Sequence, residues 1–155
     1  MYIQLLGTDN GETSPSIYIF FADKRYLINV GEGTQRFCTE HKIRLSKIQN
    51  IFLTRIDPST VGGLPGAILT LSDMGAKDLN VYGPSGIRPL LNAAQPFMYR
   101  PNLNLQRIEY SNEPPPFQDN NLSILPIVLD VRTLSDNPSD TFLITFKPTP
   151  RFHEI

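Results

Sequence analysis

Reactive side chains are few in this chain and stand far apart. Cys38 is the one cysteine, and His41 and His153 are the two histidines. Structural zinc takes four Cys or His ligands and catalytic zinc usually three protein ligands, so arithmetic argues against a self-contained histidine-rich metal site. A single thiol excludes any intrachain disulfide and fits a reducing compartment. Ser59 lacks the flanking glycines of a nucleophile elbow, and no histidine is spaced to serve as its base. Asp57 and Asp9 are the nearby carboxylates and have no partner in sequence, so no general acid–base couple is in view. No catalytic residue is assigned.

Two stretches have the composition to bind anions. Gly31-Glu32-Gly33-Thr34-Gln35-Arg36 follows an apolar run and opens a helix, the setting in which glycine lets backbone N–H groups approach a phosphate. Arg36 replaces the third glycine of the dinucleotide fingerprint, and Thr54-Arg55 stand where a ribose-binding acid belongs. The simpler reading is a tight turn in which Glu32 and Gln35 tie down neighbouring backbone. Arg36, Lys42, Arg44, Lys47 and Arg55 face Glu40 alone, a local excess of positive charge that either tracks phosphates or forms a solvated surface.

The elements that hold these residues follow from patterning. At 155 residues the length suits one domain with a real core. Fourteen basic against fifteen acidic residues give a net charge of −1, so any polyanion site is a local patch. A hydrophobic content of 40% excludes a disordered charged tail, and no apolar run approaches a membrane span. Short apolar runs predict strands at Tyr2 to Leu6, Ser16 to Phe21 and Arg25 to Val30, the last two a hairpin. Thr34 is expected to cap a short helix over Gln35 to His41. Ile48 to Leu53 reads as a strand, and Leu64, Ile68 and Leu71 mark a helix that Gly75 stops. After a strand at Leu79 to Tyr82, Ser85 is expected to cap a helix from Gly86 to about Gln95. Strands at Leu105 to Tyr110, Leu122 to Val128 and Thr141 to Phe146 complete the chain. They are separated by the Glu113 to Pro116 connector and a polar loop from Thr133 to Asp140. The reading is a mixed α/β sheet with helices, without a visible partner sheet, and cut off in mid-structure at Ile155.

Four stretches together resemble the tRNase Z branch of the metallo-β-lactamase fold, which removes the 3′ trailer from precursor tRNA. Tyr26 to Arg36 is similar to the family's first motif. Ile48 to Gly66 is similar to the strand, metal loop and helix that follow, with Gly63-Leu64-Pro65-Gly66 closing the stretch. Leu79 to Pro84 and Lys147 to Ile155 resemble the later strand and the start of a tRNA-gripping arm. Active members follow Leu-Thr with His-x-His-x-Asp-His, which holds two zinc ions. Here Arg55, Asp57, Ser59 and Thr60 stand at those places, and Asn29 replaces an aspartate. Arg55 would set a permanent cation where a dication sits.

The resemblance implies a partial αββα sandwich, a degenerate domain over residues 1–146 and the start of the arm at 147–155. Gly31, Glu32, Gly33, Thr34, Gln35, Gly63, Leu64, Pro65 and Gly66 are the implied structural motif, and Lys147, Arg151 and Phe152 the tRNA-binding candidates. It further implies the amino-terminal half of a long form, without cofactor and inactive alone. Its partners would be precursor tRNA and a zinc-bearing catalytic carboxy half, with no membrane. The isolated segment is expected to self-associate through uncovered apolar surface. The nucleus is the expected compartment, the mitochondrion the alternative. A free-standing degenerate domain acting as a protein interaction module is the competing reading.

Overall fold

Alternating apolar residues build two cores on opposite faces of one sheet, as a computed structural model describing residues 1–7, 15–110, 117–129 and 141–148 shows. The large sheet has the order β1 (Tyr2–Leu6), β2 (Ser16–Phe20), β3 (Arg25–Ile28), β4 (Ile48–Phe52), β5 (Asp78–Gly83), β6 (Asn104–Glu109). The first three strands pair antiparallel and the rest parallel. Parallel neighbours need crossover connections, supplied by α1 (Thr34–Glu40), by α2 (Pro58–Val61) with α3 (Leu64–Asp73), and by α4 (Ile87–Met98).

The period of two along each strand sends successive side chains to opposite faces. Tyr18, Leu27, Ile51 and Val81 join Leu64, Ile68, Leu71 and Leu91 in the helix-side core. Ile19, Tyr26, Ile28 and Phe52 face the other way and meet Leu122 and Ile124 of a second sheet. That sheet, β7 (Phe117–Gln118), β8 (Leu122–Leu129) and β9 (Thr141–Pro148), is antiparallel and supplies the second layer of the sandwich that the resemblance implies and that apolar patterning alone does not reveal. β7 is too short to show periodicity, which is why its Phe117, packed edge-on against Tyr26, Phe52 and Tyr82, gave no signal. Leu125 and Ile127 face outward from the second sheet and stay exposed.

Several expected boundaries move. Thr34 is the first residue of α1 rather than its cap; Gly33, at φ 78, holds the cap position, and the Thr34 hydroxyl pairs with Ser16 Oγ at 3.0 Å. Ser85 likewise yields the cap of α4 to Gly86, at φ 102. There Glu109, from β6, accepts from Gly86 N at 2.9 Å and Arg88 N at 3.2 Å, which replaces a local cap by a tertiary one. α4 also runs past Gln95 and through Pro96 to the buried Met98. A proline this close to the end removes little of the helical ladder, and Met98 anchors the last turn. The expected stop of α3 holds, with Gly75 at φ 90. The Glu113 to Pro116 connector and the Thr133 to Asp140 loop lie outside the described residues. Among the described residues no helix is long and apolar enough to cross a membrane.

Candidate functional site

The two glycine-bearing motifs form one packed unit at the carboxyl end of β3 and β4. Gly63 N donates to Val30 O at 2.9 Å, and Val30 N to Thr60 O at 2.8 Å. A Cβ on Gly63 would stand 2.2 Å from Gly31 O, so the two backbones meet where no side chain fits. Leu64, fully buried, and Pro65 start α3 from this contact. A Cβ on Gly66 would lie 2.7 Å from Gln35 Oε1, and Gln35 Nε2 donates to the Thr70 hydroxyl, so α1 is tied to α3. Gln35 therefore anchors a side chain rather than neighbouring backbone, while Glu32 is exposed. The Gly31 N–H turns to Ser16 Oγ at 3.4 Å and its carbonyl accepts from Thr34 N at 3.2 Å. This glycine turn serves helix–loop packing.

Asn29, in the left-handed region at φ 59, reaches the next strand end. Its Oδ1 accepts from Thr54 N at 2.9 Å and from Thr54 Oγ1 at 3.1 Å. Beyond Thr54 the loop closes on itself. The Asp57 carboxylate pairs with the Arg55 guanidinium and accepts from the Ser59 hydroxyl and, at 2.8 Å, from Ser59 N. Arg55 Nη2 donates to Ser59 Oγ at 3.3 Å. Thr60 Oγ1 donates to Arg55 O at 2.7 Å, and Asp57 N to Thr60 Oγ1 at 3.2 Å, completing a capping box on α2. This one-turn helix reads from sequence as a plain turn, because four residues show no helical period; Asp-Pro-Ser-Thr is the cap signal that could have found it.

Arg55, Asp57, Ser59 and Thr60 are thus brought together, but as partners of one another. The donor set is one carboxylate, two hydroxyls and a guanidinium, and the carboxylate is already engaged, so these residues do not fit zinc. Among the described residues no group of three or more His, Cys, Asp or Glu could hold a metal ion.

Other sequence candidates lie elsewhere. Cys38 is buried, which pushes its thiol up to about 11, far from a reactive thiolate. His41 sits past the end of α1, stacked on Phe37 with centroids 4.0 Å apart. In the basic run Lys47 precedes β4 and Arg55 follows it, so these two stand at opposite ends of that strand, while Arg36 pairs with Glu40 at 3.6 Å. Lys147 is exposed on β9, which continues to Pro148; Arg151, Phe152 and His153 lie outside the described residues, as does Asp9. Asp119, whose partners are described below, carried no sequence signal beyond an Asp-Asn-Asn turn.

The family described as tRNase Z endonuclease matches residues 4–63. The chain is 52% identical over 103 residues to the mitochondrial tRNase Z TRZ4 of Arabidopsis thaliana, covering 64% of this chain and 11% of that protein. It is 35% identical over 130 residues to the human zinc phosphodiesterase ELAC protein 2, covering 82% of this chain and 15% of that protein. Among solved structures, a long-form RNase Z from yeast superposes with a TM-score of 0.76 at 28% identity, covering 83% of this chain and 18% of that chain. The chain therefore spans under a fifth of these relatives. The mixed sheet with its helix layer and second sheet is the metallo-β-lactamase fold in part, and the chain belongs to the tRNase Z family.

Proposed function

We propose that this chain is the early part of the amino-terminal, metal-free half of a long-form tRNase Z, the endoribonuclease that removes the 3′ trailer from precursor tRNA. The observation that carries the reading is the closed Arg55–Asp57–Ser59–Thr60 network at the place of the family's metal loop, beside an intact Gly31–Gly63 contact. Such a half contributes no group that lowers the pKa of a bound water. It acts by packing against a zinc-bearing carboxy half and by holding tRNA so that binding energy remote from the scissile bond positions the substrate. Residues 1–146 are its degenerate domain, and Lys147, Arg151 and Phe152 lie near the base of the tRNA-binding arm. The exposed Leu125 and Ile127 support self-association of the isolated segment. The mitochondrial designation of the Arabidopsis relative favours the mitochondrion over the nucleus.

The test is made on the full-length protein. Asp57→Ala is expected to leave zinc content and precursor-tRNA cleavage within twofold of the parent, at a stability cost of about 1 kcal/mol from the lost cap. Substituting the His-x-His-x-Asp-His histidines of the carboxy half is expected to abolish both. Loss of zinc or of cleavage in a folded Asp57→Ala protein would mean that this loop is catalytic and would sink the reading.

A further inference from the structure

On strand β6, at the edge of the large sheet, one guanidinium has no counterpart among the described residues. Arg107 Nε is buried without a hydrogen-bond partner, and Arg107 forms no ion pair among the described residues. With Gln95, Tyr99, Arg100 and Asn104 it lines a cavity of about 170 Å³ between the end of α4 and β6. The carboxylates on the flanking elements are engaged elsewhere. Asp73 takes Arg100 at 3.4 Å, Asp78 accepts from Asn104 Nδ2 at 3.0 Å, and Glu109 faces Arg88 and the start of α4. Arg100 thereby offsets Asp73 and, through Nη1 to Tyr99 O at 3.4 Å, the carbonyl end of α4. Among the described residues Arg107 is left as the unpaired cation of the cavity, half-buried with its Nε shielded from solvent, and a partly desolvated guanidinium favours the arrival of an anion.

The chemistry around it narrows the class of anion. A guanidinium fork matches phosphate oxygens. Tyr99, 61% exposed, lines the same cavity, and Phe97, 68% exposed, stands at the same end of α4. Aromatic faces beside arginines are the arrangement on which a base stacks while its phosphate is neutralised. We infer that the cavity between the end of α4 and β6 binds a phosphodiester of single-stranded RNA, Arg107 taking the phosphate and Tyr99 the adjoining base. The choice of RNA rests on the proposed function; the demand for an anion rests on Arg107.

The experiment measures binding of a fluorescent single-stranded oligoribonucleotide to the full-length protein across a salt series, with precursor-tRNA cleavage in parallel. Arg107→Gln keeps much of the aliphatic stem and is expected to weaken binding about five- to tenfold and to make the salt slope shallower by about 0.7, one phosphate contact. Arg107→Lys is expected to keep the slope, and Tyr99→Ala to weaken binding about fivefold at the parent slope. Parent-like affinity and slope in a folded Arg107→Gln protein would overturn the inference, with parental cleavage leaving the tRNase Z reading intact. Displacement of the oligonucleotide by inorganic phosphate at equal molar concentration would reduce the cavity to a free-anion site and overturn the assignment to RNA. A parent that neither bound nor cleaved precursor tRNA, yet bound the oligonucleotide through Arg107, would sink the tRNase Z reading alone.

Discussion

Gly63→Ala is expected to destabilise the chain by about 3 kcal/mol or more, at the upper end of what overpacking costs. The added methyl group would stand 2.2 Å from Gly31 O, and both sides of the contact are backbone. The Gly63 N–H to Val30 O bond at 2.9 Å and the Val30 N–H to Thr60 O bond at 2.8 Å fix that backbone from either side. Relief would require pulling the start of α3 away from the end of β3 and exposing Leu64. The comparison is Gly75→Ala: a Cβ there meets nothing within 4 Å, and only the left-handed backbone at φ 90 opposes it. That strain costs about 1 kcal/mol. Urea midpoints for both variants test the difference. Equal, small shifts would show that the two motifs part easily and that the glycine is dispensable.

Asp119→Ala is expected to be the next largest loss, about 3 kcal/mol, because it removes several hydrogen bonds to a charged group and strands a buried hydroxyl. Asp119 Oδ2 accepts from Tyr26 OH at 2.5 Å and from Lys24 Nζ at 3.1 Å, and Oδ1 from Asn121 N at 2.8 Å and Leu122 N at 3.1 Å. Asn121 Nδ2 reaches Asp23 at 3.2 Å. These bonds latch the turn before β8 to the β2–β3 hairpin and seat the second sheet over Tyr26, which is fully buried. Burial alone would raise the Asp119 carboxyl, but the Tyr26 hydroxyl, the two N–H groups and Lys24 outweigh it and hold the carboxyl below the usual range.

The sign of the pH dependence follows. A carboxyl lowered on folding contributes stability that is complete above its unfolded value of about 3.9 and is lost as pH falls through the folded one. The parent should therefore lose stability more steeply than Asp119→Asn below about pH 4. Parallel acid-unfolding curves for the two would show that the latch carboxylate contributes nothing. The Tyr26 hydroxyl moves the other way, raised first by burial and then by its bond to Asp119, so it stays protonated as the donor of that bond.

Apart from α2, strand and helix positions in the first 110 residues were legible because short apolar runs bounded by turn residues mark the strands and α3 repeats at helical spacing. The helix caps were not. Thr34 and Ser85 have the right chemistry for a cap, but Gly33 and Gly86 take those positions with left-handed backbones, and Glu109 supplies the missing acceptor from 23 residues away. Local propensity cannot anticipate an acceptor that arrives with another strand. Of the second sheet, β8 and β9 were legible as apolar runs and the sandwich followed from the family resemblance, but β7 was hidden, since it has two residues and its Phe117 acts only by meeting Tyr26, Phe52 and Tyr82 across the sandwich.

The candidate loop divides along the same line. Residue types alone determined that Arg55, Ser59 and Thr60 offer no imidazole, because coordination chemistry depends on which atoms are present. Only the tertiary structure decided that these residues and Asp57 satisfy one another, that Gly31 and Gly63 meet through their backbones, and that Arg107 finds no counterpart among the described residues. Partnership and vacancy depend on which atoms come within a few ångströms, and contacts between distant residues are set by how the sheet and helices pack rather than by spacing along the chain.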